Sequence, residues 1–263
     1  IGLEGILLFG ALAGALGAQA SGSALVGLFT GMGVGALIGL VFGTISTSLR
    51  GSQLISGVGI NLLALGFVAL MLSVMGAPGF HSVAREVQVP LIPLGVGNLS
   101  PLVPITVVVA IGVWWLLRRT QLGIWIRAVG ENPAAADVAG IRVNRVRLGA
   151  AVAAGVLAGL AGAYLSIDWF GAVTKEITAG RGFIALAIVV FSGLNPLLAL
   201  LGGFIFGFFD GLATWVATYP GIKDIIPWQF VAMMPYVVTL AVVAGMIGRV
   251  RFPSALGVPY LRE

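Results

Sequence analysis

Arg118–Arg147, RRTQLGIWIRAVGENPAAADVAGIRVNRVR, interrupts two long apolar runs and decides how the chain is threaded. It holds six arginines, at 118, 119, 127, 142, 145 and 147, of twelve in the whole chain. Positive charge gathered between apolar runs marks the cytoplasmic side of a membrane protein. Within the stretch, Asn132 precedes Pro133, then Ala134, Ala135, Ala136, Asp137, Val138 and Ala139, then Gly140. Asparagine at an N-cap, proline at the first helical position and glycine after the last turn predict a short capped helix. Leu122, Ile124, Trp125 and Ile126 lead into it, apolar residues that a free loop would not expose. A capped helix on a basic cytoplasmic loop suggests a docking element for a soluble partner; the plainer alternative is a solvated linker charged for topology alone.

Composition agrees with the threading. Hydrophobic residues make up 59% of the 263 and charged residues 9%, and mean hydropathy is +1.10. A soluble domain carries roughly a quarter charged residues. The expectation is therefore an all-α polytopic membrane protein, one transmembrane domain over 1–263. The net charge of +5 follows topology and forms no basic patch interleaved with aromatics, so nucleic acid is not an expected partner. With no cysteine, disulfides, thiol catalysis and cysteine metal sites are excluded, and the single histidine, His81, makes a histidine metal site improbable. There is no Ser-His-Asp set, no HExxH and no Walker A motif, so no enzyme and no cofactor is expected. Any energy source belongs to another chain. The sequence opens at Ile1 inside an apolar run with no basic leader before it, which reads as an N-terminal truncation missing at least one membrane segment.

A bilayer core takes about 20 apolar residues per helix. Predicted spans are 3–18, 24–49, 53–76, 101–117, 148–168 and 228–248. The stretch 183–215 splits at Ser192–Pro196 into a piece too short to cross and a longer one, and is expected to be a re-entrant or broken pair. The fold is then a bundle of about 6–7 transmembrane helices plus that pair. On this threading ten of the fourteen basic residues lie inside, whereas a single crossing by 183–215 would leave seven on each side. The segment 77–100, rich in proline and glycine, is an outer loop, and 168–181 is outside as well. Gly27, Gly31, Gly35, Gly39 and Gly43 form a ladder at four-residue spacing, echoed by Gly155 and Gly159 and by Gly203, Gly207 and Gly211. Small residues so spaced let helix backbones approach closely in lipid. Residues 1–10 also resemble 195–203, a weak echo that would fit paired broken helices along a transport path.

Charge inside a membrane is a functional-site candidate by default. Glu4, Asp168 and Asp210 lie nearest the apolar segments, Asp168 beside Trp169 in an anchoring position. Neutral polar residues are better candidates for a substrate path: Asn61 and Ser56 with Gln53 on the third span, and Asn195 at the break. For Asn61, hydrogen bonding between helices is at least as good a reading as solute contact. Trp114, Trp115, Trp169, Trp215 and Trp228 read first as an interfacial belt.

Thr120–Ile124 and Arg127–Ala136 with Gly140-Ile141 resemble the cytoplasmic coupling loop of bacterial ABC importer permeases of the branched-chain amino acid, ribose and simple-sugar type. Gly180-Arg181-Gly182-Phe183, followed by Asn195-Pro196, is similar to a second signature of that family. Ile1–Gly5 and Gln53, Ser56, Gly57, Asn61 and Leu62 look like its nucleoside and simple-sugar subgroup. The resemblance implies a multi-pass permease of the bacterial plasma (inner) membrane. Its coupling residues would be Arg127, Gly130, Glu131, Asn132, Pro133, Ala134, Ala135, Ala136, Asp137 and Gly140, inserted into a cytoplasmic ABC ATPase. Asn61, Ser56, Phe183 and Asn195 would line the path. An extracytoplasmic solute-binding protein would deliver a nucleoside or simple sugar, and a second permease chain would complete a hetero- or homodimer. The alternative is an ion-coupled secondary transporter or channel that works without an ATPase.

Overall fold

The computed structural model describes residues 2–77, 79–93, 98–218, 229–234, 236–237, 253–258 and 260. Helices α1 (Leu3–Ser21), α2 (Ala24–Thr47), α3 (Gln53–Val74), α4 (Leu102–Arg119), α5 (Gln121–Glu131), α6 (Pro133–Val138), α7 (Val143–Tyr164), α8 (Arg181–Phe191) and α9 (Pro196–Thr218) follow in order. A π-helical turn, Leu165–Trp169, extends α7. Among the described residues, six helices are long and apolar enough to cross a membrane: α1, α2, α3, α4, α7 with its π turn, and α9. The protein is an all-α polytopic membrane protein. Most of the predicted span 228–248 lies outside the described residues; 229–234 and 236–237 are helical.

Two compact units divide the chain, one of residues 1–106, 116–184 and 253–263, the other of 107–115 and 185–252. In the first, α2 packs along α7 and α1 sits against both. The glycine ladder makes that packing possible. A methyl on Gly35 would lie 2.7 Å from the Cα of Gly159, one on Gly31 2.6 Å from the Cβ of Ala163, and one on Gly39 2.7 Å from the carbonyl oxygen of Ala151. Backbones touch where side chains would stand. α1 is the enclosed helix, its Leu7, Leu8, Phe9, Ala11, Leu12 and Ala15 packed with Ala64, Val68 and Leu72 of α3. In the second unit Gly202 of α9 takes Ile188 of α8 as its neighbour, at 2.8 Å from where its Cβ would be. The predicted ladder on α9 has no such role among the described residues: Gly203, Gly207 and Gly211 have nothing within 4 Å of an added Cβ.

The break at 192–195 is present. Gly193 and Leu194 both take left-handed backbone (φ 58° and 62°), and Asn195 Oδ1 accepts from the N–H of Leu197 at 3.1 Å. α8 is too short to cross, and α9, at 23 residues, is long enough to do so alone.

The segment 77–100 folds partly onto the end of the first unit. β1 (His81–Ser82) pairs antiparallel with β4 (Ala172–Val173), and β2 (Ile92–Pro93) with β3 (Asn98–Leu99). Gln19, near the end of α1, donates to the Ser82 carbonyl at 2.9 Å and meets the His81 ring at 2.7 Å. At 1.5 Å per residue this level lies about 22 Å along α1 from Glu4.

Candidate functional site

The basic stretch is almost wholly helical. α4 runs through Arg119, α5 takes 121–131, α6 takes 133–138 and α7 begins at Val143, so Arg145 and Arg147 ride on the first turns of a span. Thr120 caps α5, its hydroxyl accepting from Gly123 at 3.3 Å. The apolar lead-in is thus one amphipathic helix, with Gly123 and Val129 buried and Leu122, Ile124 and Trp125 exposed. Arg127 stays on its exposed side, its Nε donating to the Gly123 carbonyl at 3.3 Å.

α6 is capped at both ends as its sequence predicts. Asn132 Oδ1 accepts from the Ala135 N–H at 3.0 Å, with Pro133 at the first position. At the far end Gly140 N–H donates to Asp137 O at 2.9 Å and Ile141 N–H to Ala136 O at 3.0 Å. That reciprocal pair needs a left-handed residue between them, and Gly140 has φ 84°. The helix has two sides. Ala136 is 3% exposed, in a cluster with Val129 and Val143, and Asp137 Oδ2 accepts from the Tyr260 hydroxyl at 2.9 Å. Ala134, Ala135 and Val138 face outward, and Val138, at 91% exposed, is the residue a reading of the alanine run passed over. Gly130 and Glu131 close α5, their carbonyls accepting from Ala255 N–H and Ser254 hydroxyl, while the Glu131 side chain is exposed. The ten coupling candidates therefore lie together on one surface element, some shaping it and some presented by it.

A second constellation sits inside the bundle. Glu4 Oε1 accepts from Gly180 N–H at 2.8 Å and Oε2 from Gly182 N–H at 2.7 Å. The carboxylate occupies the start of α8, where unpaired N–H groups and the helix dipole favour negative charge. Gly182 permits the approach: a Cβ there would lie 2.6 Å from Glu4 Cα. One residue on, Gly5 N–H donates to Asn61 Oδ1 at 2.8 Å. Asn61 is eight residues into α3 and thirteen from its end, about 12 Å and about 20 Å along the axis. Glu4, Asn61 and Gly180–Gly182 thus meet well inside the helical layer. The stretch 168–181, expected as a single outer segment, divides: Ala172–Val173 pair with 81–82, whereas Gly180–Gly182 reach Glu4.

The other path candidates fall in different places. Ser56 lies on α3 below Asn61, its hydroxyl bonded to the Ser52 carbonyl at 2.8 Å. Phe183 follows Gly182 and is 53% exposed. Asn195 belongs to the second unit, where its carbonyl caps α9. Asn132-Pro133 and Asn195-Pro196 are the same helix-starting device used twice. Tyr260, Ser254 and Gly182 escaped sequence reasoning as contact residues because each acts on a partner more than a hundred positions away.

Residues 1–243 match the family described as "Branched-chain amino acid transport system / permease component". The chain is 33% identical to the nucleoside ABC transporter permease protein NupC of Lactococcus lactis subsp. cremoris, over 100% of this chain and 88% of that protein. It is 34% identical to the guanosine ABC transporter permease protein NupQ of Bacillus subtilis, over 100% and 87% respectively. With the ribose import permease protein RbsC of Escherichia coli K12 it shares 30% identity over 76% of this chain and 65% of that one. No solved structure matches it. A membrane bundle with a capped helix on its basic end, matched along nearly all its length by transport permeases, belongs to the branched-chain amino acid transport system permease family of ABC importer permease subunits.

Proposed function

We propose that this chain is one of two path-forming permeases of a bacterial inner-membrane importer for nucleosides. A cytoplasmic ABC ATPase on a separate chain drives it, and an extracytoplasmic solute-binding protein supplies the nucleoside. The observation that carries the reading is α6, a helix capped at both ends, presenting Ala134, Ala135 and a 91% exposed Val138 amid arginines. Covering that valine in an ATPase groove is worth about 1.5–3 kcal/mol. The alanines beside it keep the knob smooth enough to seat deeply.

The substrate class rests on the relatives, named for nucleosides and for guanosine. A nucleoside is neutral and rich in hydrogen-bonding edges, so its path needs amide, hydroxyl and aromatic groups and no counter-ion. Asn61, Ser56, Phe183 and Asn195 are of that kind. Glu4, the acid an ion-coupled carrier would use, is engaged by two backbone N–H groups instead. The second permease, identical or different, would cover apolar helix faces such as that of α4, of which only 6% is buried.

The test is reconstitution of the chain with its ATPase and binding protein in liposomes, measuring guanosine import. Import requires ATP, is competed by other nucleosides more strongly than by ribose or leucine, and is lost with the ATPase in Val138→Lys. Import driven by an imposed proton gradient without ATP would overturn the proposal.

A further inference from the structure

Residues 253–258 and Tyr260 come back to α6 from the far end of the chain and splint it. Two of their bonds go to the last turn of α5: Ala255 N–H donates to Gly130 O at 3.1 Å, and Ser254 hydroxyl to Glu131 O. Those carbonyls have no partner within their own helix, as is general for a helix's last turn. Pro253 lies 3.4 Å from where a Cβ on Gly130 would be, so its ring packs on that turn. A third bond reaches α6 itself, Tyr260 hydroxyl to Asp137 Oδ2 at 2.9 Å, while the Tyr260 ring packs against the cluster of Val129, Ala136 and Val143. A fourth ties the segment to α7, Arg147 Nη1 donating to Val258 O at 2.8 Å.

These anchors surround a weak joint. α5 and α6 are separated by the single extended residue Asn132 (φ −145°, ψ 92°). A helix of six residues does not hold itself, since isolated helices below about 12 residues are marginal in water. Of the large side chains of α6, the only hydrophobic one, Val138, points away. A knob that passes force into a bundle has to be stiff where it joins. We propose that the C-terminal segment is the positioning strap of the coupling helix, with Tyr260 on Asp137 as its latch, and that it sets the angle at which α6 meets the ATPase. The inference rests on the docking role given to α6 above.

These 263 residues hold no cysteine, so a nitroxide on Val138→Cys reports the motion of α6 in the permease without background from them. Tyr260→Phe and Asp137→Leu are each compared with the parent in lipid, and both are carried into the complete importer without the label. Each variant mobilises the label and lowers guanosine moved per ATP hydrolysed by about tenfold, the worth of one hydrogen bond to a charged acceptor. The double variant loses less than the sum of the two single ones, because the two substitutions share one contact. Label mobility reads the helix itself, and the transport-to-hydrolysis ratio is independent of how much protein folds. Unchanged mobility and ratio in both single variants, or additive losses in the double, overturn the strap while leaving docking intact if Val138→Lys still sheds the ATPase. Retention of the ATPase by Val138→Lys overturns both.

Discussion

Gly33 and Gly35 stand two residues apart on α2 and should respond oppositely to the same methyl group. At Gly35 the added Cβ would lie 2.7 Å from Gly159 Cα and closer still to the Gly155 carbonyl, whereas at Gly33 no described atom stands within 4 Å. Alanine improves intrinsic helix propensity by about 1 kcal/mol at either site, so that gain cancels in the comparison. What remains is packing. The Gly35 methyl falls at least ~0.7 Å short of ordinary contact distance, and α2 and α7 must part by no less than that. Such a gap forfeits a quarter to a half of each van der Waals contact along the seam, and overpacking of this kind costs about 1–3 kcal/mol. Gly35→Ala therefore melts about 2–12 °C below Gly33→Ala in detergent, taking about 2–4 °C per kcal/mol for a chain of this size. The assay is tryptophan-fluorescence or dye-monitored thermal unfolding of the purified permease, with guanosine import as the second readout. Equal melting of the two variants would refute the packing argument, because it would mean that the ladder does not carry the α2–α7 contact.

Glu4→Ala strips two backbone N–H groups of their acceptor at about 1–3 kcal/mol each, so the variant melts lower and imports poorly. Glu4→Gln, which keeps one carbonyl acceptor, retains most import; complete loss in Glu4→Gln with normal melting would point to ion coupling. Asn61→Asp keeps the acceptor for Gly5 N–H and removes the amide donors, so KM for guanosine rises about tenfold with little change in melting, and an unchanged KM would make Asn61 purely structural. Gly207→Ala, unlike Gly35→Ala, keeps import and melts no lower than the parent, as its Cβ meets no described atom within 4 Å and alanine favours the helix.

Much of this protein is legible in local order. Apolar runs marked five of the described spans to within a few residues at most ends, because lipid demands length and hydropathy of any helix that crosses it. α7 is the exception at its start, beginning five residues before the predicted 148, because arginines read as loop residues continue the helix. The caps of α6 were readable for the same kind of reason. An Asn-Pro start and a glycine stop act on backbone groups within a turn or two, so their partners are their neighbours.

The sequence by itself therefore determined a glycine-laddered membrane bundle with a capped helix on its basic end, since each of those features follows from contacts a few residues apart or from the solvent. Tertiary structure alone decided what the first ladder packs on. Gly27–Gly43 and Gly203–Gly211 look alike in the chain, and only the first has described backbones to meet. It also decided what Glu4 bonds to, because its partners are the N–H groups at 180 and 182. It divided the alanine run into an inner Ala136 and an outer Val138, and it brought Tyr260 to Asp137 across 123 residues. A spacing rule registers what one helix offers; which neighbour accepts the offer depends on how the chain returns, and only the fold contains that.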